Sequence, residues 1–99
     1  MREIRVPPHS LDAEQAVLGG LMLSETALDR VASVIVEEDF YRKDHRLIFR
    51  SISELDARGQ PYDAVTLGEW FEAKGLVELV GGTSYIIHLA NNTPSVANI

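Results

Sequence analysis

The sequence predicts an all-α fold, a compact bundle of about five to six short helices, and three observations carry that reading. Apolar residues recur at three- and four-residue spacing along most of the chain. Residues that cap or stop helices stand at the ends of those periodic stretches. No segment of length alternates apolar and polar residues with period two, as a half-buried strand would.

The elements follow in order. Pro7-Pro8 closes an extended arm over residues 1–10, because proline fixes φ and disfavours helix in the residue before it. Ser10 reads as the N-cap of a helix over 11–23, with Asp12 and Glu14 suited to its positive end. Leu11, Val17, Leu18, Leu21 and Met22 share about 140° of its circumference. Ser24 caps a predicted second helix over 25–36 that buries Ala27, Leu28, Val31, Val34 and Ile35. Phe40 and Tyr41 anchor the acidic connection that follows. A third helix over 44–58 carries Ile48, Phe49, Ile52 and Leu55 on one face and stops at Gly59. Thr66 and Glu69 form a Thr-x-x-Glu capping box for a helix over 66–74. A short turn at 76–80 leads to Gly81-Gly82, and Thr83 caps a helix over 83–91. Ser95 starts another helix after Pro94. The domain division is thus an arm over 1–10, a helical head over 11–94, and the beginning of a further helix over 95–99. Leu18, Leu21, Leu28, Val31, Phe49, Ile52, Trp70, Phe71, Ile86 and Leu89 are the expected core.

With 99 residues, 45% of them hydrophobic and 24% charged, the chain has the composition of one ordinary globular domain. It contains no cysteine, which removes disulfides, thiolate nucleophiles and cysteine-ligated zinc. The first ten residues lack the apolar stretch of a signal peptide, and nothing approaches the roughly 18 apolar residues of a membrane span. A cytoplasmic location is expected. The net charge of −6 disfavours a domain that neutralises phosphates and favours protein partners.

No residue pattern specifies catalysis. His9, His45 and His88 lack a second ligand at metal spacing and read as surface or partly buried structural residues. The acidic run at residues 37–39 reads as a solvated connection. Gly81-Gly82-Thr83-Ser84 resembles a phosphate cradle, but the Walker pattern requires a lysine beside the hydroxyl residue; a glycine stop followed by a threonine cap is the simpler reading. Arg42, Arg46 and Arg50, four apart, line the exposed side of the third helix, either as a solvated face with ion pairs or as a surface for an acidic partner or DNA. Gly19-Gly20, costly inside a helix at about 1 kcal/mol each, would allow close approach of another backbone. Glu14 points into an apolar stripe, where it could accept hydrogen bonds from a helix N-terminus or pair with an arginine.

Four stretches in register then resemble the N-terminal domain of DnaB-type replicative helicases: PHSLDAEQAVLGGLML at 8–23, DFYRKDHRLIF at 39–49, DAVTL at 63–67, and VGGTSY at 80–85 with NTPS at 92–95. The resemblance covers the chain from residue 8 onward. It implies a helical head that is followed in the family by a long helical hairpin. Six copies form a collar on a ring of ATPase motors, and the collar docks primase and helicase loader or initiator proteins. Ending at Ile99, the chain is expected to lack nearly all of the hairpin and the whole motor. No cofactor is expected here; ATP and magnesium, and most contact with single-stranded DNA, belong to the motor. The expected interface residues are Gly19, Gly20, Arg42, Arg46, Arg50, Val96 and Ile99. The alternatives are a stand-alone helical DNA-binding module using the arginine face and a small enzyme built on the Gly81-Gly82 turn.

Overall fold

Period and punctuation translate into five helices in the computed structural model, which describes residues 11–24, 26–31 and 34–91. They are α1 (Leu11–Leu23), α2 (Ala27–Val31), α3 (Lys43–Ala57), α4 (Ala64–Lys74) and α5 (Gly82–Asn91), with single 3-10 turns at Glu37–Asp39 and Val77–Val80. No strand occurs among the described residues. The predicted Ser10 cap and the helix at residues 95–99 lie outside them.

The glycines end α3 and α4 by the same device. Gly59 has φ +69° and Gly75 φ +71°, a left-handed conformation that costs glycine no Cβ clash. In each case the reversal returns two N–H groups to the helix. Gly59 N donates to the Asp56 carbonyl at 3.0 Å and Gln60 N to that of Leu55 at 2.9 Å. Gly75 N donates to the Glu72 carbonyl at 3.1 Å and Leu76 N to that of Phe71 at 2.8 Å.

The core lies where α1, α3, α4 and α5 meet, around Leu18, Leu21, Ile48, Ile52, Leu67, Phe71, Ile86 and Leu89. Of the expected core residues, Val31 and Trp70 pack only half-buried at its edge. Gly68 brings α4 and α5 together: a Cβ built there would stand 3.2 Å from the Thr83 methyl.

Three expectations about helix ends are corrected. The second helix is much shorter than 25–36. Val34 N and Ile35 N both turn back to the Val31 carbonyl, and the chain is extended by Val36. Val34, expected inside, is 72% exposed; the run of β-branched residues there has low helix propensity. The fourth helix begins at Ala64, not at a Thr66 cap. Asp63 takes the extended N-cap position, and the Thr66 hydroxyl donates to its carboxylate at 2.6 Å. Thr83 likewise lies inside α5, its hydroxyl 3.4 Å from a Glu72 carboxylate oxygen. Of the two aromatic anchors, Phe40 is buried and Tyr41 is 63% exposed.

Candidate interaction surface

The misplaced acid of α1 is explained by a polar network through the core. Glu14 Oε1 lies 2.7 Å from His45 Nδ1, and His45 Nε2 lies 2.6 Å from the Tyr85 hydroxyl. Gln15 Nε2 donates to the same hydroxyl at 3.2 Å. The ionised Glu14 carboxylate can only accept, so His45 Nδ1–H donates to it, and in the neutral ring Nε2 is then the acceptor for the Tyr85 hydroxyl. The other Glu14 oxygen accepts the Tyr41 backbone N–H beside the start of α3. Glu14 therefore takes up backbone hydrogen bonding near a helix N-terminus, and its side-chain partner is a histidine instead of an arginine. The His45 and Tyr85 rings are nearly parallel, at 6°, and the His88 ring lies within 20° of parallel to Tyr85. Arg42 lies 5.3 Å over the Tyr85 ring.

His45 is fully buried, which corrects the expectation of a surface or partly buried residue. A histidine between a carboxylate and a hydroxyl has the parts of a proton relay. Here the ring has no exposed surface and both of its nitrogens are engaged within the chain. Its work is to tie α1, α3 and α5 together. His88 is exposed, and His9 lies outside the described residues. Among the described residues no three His, Asp or Glu side chains gather as a metal site.

The three arginines share one side of α3, and each has a partner in the chain. Arg42 Nε donates to Asp44 at 3.0 Å. Arg46 Nε donates to the Phe40 carbonyl at 2.7 Å. Arg50 grips Glu37 with two bonds, at 3.1 and 2.8 Å. Hydrogen bonding to Arg50 holds the Glu37 carboxyl below its ordinary value, and Glu37 raises Arg50 in return. Asp44 does the same for Arg42. Only Arg50 of the three is fully on the surface; Arg42 and Arg46 are half-buried, contrary to the expected exposure of all three.

Gly19 is buried and Gly20 half-buried. A Cβ at Gly20 would meet nothing within 4 Å among the described residues. A close approach between helices occurs at Gly68. Val96 and Ile99 lie outside the described residues. A feature the sequence did not reveal is a clamp on Trp70. Lys74 Nζ stands 4.4 Å and the Arg58 guanidinium 5.3 Å from its ring centroid, and its buried Nε1 has no hydrogen-bond partner among the described residues.

A family profile described as "DnaB-like helicase N terminal domain" matches residues 6–99. The chain belongs to that family. It is 50% identical over 95 residues to the replicative DNA helicase DnaB of Buchnera aphidicola, covering 96% of this chain and 20% of that protein. It is 42% identical over 95 residues to the replicative DNA helicase DnaC of Bacillus subtilis, covering 96% of this chain and 21% of that one. This helicase N-terminal domain thus spans about a fifth of the length of the relatives it matches. Among solved structures, the N-terminal domain of DnaB helicase from Mycobacterium tuberculosis superposes with a TM-score of 0.85 at 40% identity, covering 93% of this chain and 67% of that one. The helicase-domain fold read from the four stretches is therefore the fold observed. Among the described residues, no helix is long and apolar enough to cross a membrane.

Proposed function

We propose that this chain is the non-catalytic head through which a replicative helicase contacts other proteins during DNA replication. In the longer protein it contributes to a hexameric collar and docks primase and loader or initiator proteins in the cytoplasm. ATP, magnesium and most single-stranded DNA contact fall to a separate motor. Its membership in the helicase N-terminal family carries this reading. The closed environment of His45 supports it, since the histidine of the most reaction-like cluster among the described residues is buried and engaged on both nitrogens. The expected interface residues Gly19, Gly20, Arg42, Arg46, Arg50, Val96 and Ile99 remain part of the proposal, with Gly20 offering unfilled space. A stand-alone DNA-binding role for the arginine face is less favoured, because phosphate would have to displace Asp44, Glu37 and the Phe40 carbonyl.

Calorimetric titration of the chain with the cognate primase C-terminal domain tests the reading. Saturable binding is expected, alongside nucleotide hydrolysis at background. No binding by either this chain or a version extended through the hairpin would refute primase docking. In sedimentation velocity the chain should run as a monomer or weak dimer. Stable obligate interfaces commonly bury more than about 2,000 Å², more apolar surface than so small a core can release. A concentration-independent hexamer would show that the head alone builds the ring.

A further inference from the structure

The end of α1 and the α3–α4 connection enclose an open groove of about 690 Å³. Leu21, Met22 and Tyr62 form its floor, and Leu23, 64% exposed, forms its lip. Asp56 and Asp63 stand at its rim, and among the described residues no lysine, arginine or histidine lines it. α1 has no basic residue in its last turn, so the negative end of its dipole is uncompensated there. The Thr66 hydroxyl, helped by the nearby Val65 and Thr66 backbone amides, holds the Asp63 carboxyl below its ordinary value although no amide closes a full cap bond. Apolar surface, two carboxylates and a helix C-terminus thus converge on one opening.

We propose that this groove docks a protein segment carrying one large apolar side chain flanked by lysine or arginine. The apolar group would cover Leu23 and reach the floor, while the cations would meet Asp56, Asp63 and the carbonyl end of α1. A phosphate-bearing partner is repelled by the same groups. A second copy of this chain, with net charge −6, is also a poor electrostatic match. This inference rests on the reading of the chain as a protein-contacting domain and adds the location and chemistry of one contact.

The test is a two-dimensional NMR titration of the labelled chain with the synthetic peptide Lys-Arg-Phe-Lys-Arg, beside a control with glutamate at the four basic positions. Amide shifts should concentrate at residues 21–24 and 59–63, weaken with salt and be absent with the control. Leu23→Ser and Asp56→Lys are exposed changes that should leave the fold intact, verified by their amide spectra, and each should weaken binding roughly threefold to tenfold. The proposal is overturned if binding is undetectable at millimolar peptide, if the shifts spread over the acidic residues 37–39, or if neither variant alters affinity. Shifts at the groove that depend on chain concentration and not on peptide would identify a second copy as the occupant and overturn it too. If the chain still binds the primase C-terminal domain while the groove ignores the peptide, the groove proposal fails and the broader function stands.

Discussion

The interior network and the arginine face use similar charged groups but join the chain over different distances. Glu14 and His45 are 31 residues apart, and His45 and Tyr85 are 40 apart. On the surface, Arg42 pairs two residues away with Asp44, while Arg50 reaches 13 residues back to Glu37. The first set crosses three helices with His45 wholly enclosed; the second ties the start of α3 and the preceding connection to one helix face. A buried pair that loses one member leaves the other desolvated and unsatisfied, whereas water replaces a lost surface partner. The interior set should therefore govern how the helices are arranged, and the surface set should mainly adjust a local segment.

The largest effect tests that contrast directly. His45→Ala should destabilise the chain by about 3–5 kcal/mol, by stranding Glu14 and Tyr85 and opening a cavity. Urea unfolding followed by circular dichroism measures it, and a loss under about 1 kcal/mol would erase the distinction between the two regions. Gly81→Ala approaches the network through the backbone. Its φ is +89°, and a Cβ there would lie 3.0 Å from Tyr85 Cβ. A cost of about 1–3 kcal/mol is expected in the same melts, together with shifted Tyr85 ring resonances. Asp63→Ala, at an exposed helix start, should cost about 1 kcal/mol. Because Asp63 titrates below its ordinary value of 3.8 when folded, its contribution is full above that pH and fades as pH falls through the lowered value. Acid titrations of the variant should show a shallower loss there.

Arg50→Ala should be the mildest change, with a small lowering of the urea midpoint at neutral pH. That effect should fade in acid. Glu37 sits below its ordinary value of 4.5 when folded, chiefly through Arg50, so that contribution is present above 4.5 and lost as pH falls through the lowered value. Wild type and variant should converge in acid; divergence there would mean that Arg50 acts through something besides Glu37.

Local signals were readable and long-range ones were not. The extent of α1 and the stops at Gly59 and Gly75 follow from helical spacing and glycine conformation, both encoded within a few residues. The length of α2 was misread because Val31, Val34 and Ile35 match helical spacing while their β-branched side chains accept other conformations. At the start of α4, Asp63 and Thr66 are both competent caps, and Thr66 ends by donating to Asp63. Glu14 stood out as an acid in an apolar stripe. Its pairing with His45 depends on how α1 crosses α3, which no local spacing encodes. Gly68 gave no signal for the same reason, since its value lies in the approach of Thr83 from α5.

The clamp on Trp70 gives the domain a built-in optical probe. Trp70 is the chain's one tryptophan, held between Arg58 at the end of α3 and Lys74 at the end of α4. With its N–H shielded from water, the indole should emit at shorter wavelength than a solvated ring, and shift to the red when the two helix ends part. Backbone ellipticity averages over all five helices, whereas this emission reports one junction. Agreement of the two signals through a melt would show cooperative unfolding. A change in emission alone, on mixing with a partner, would place the disturbance at the junction of α3 and α4.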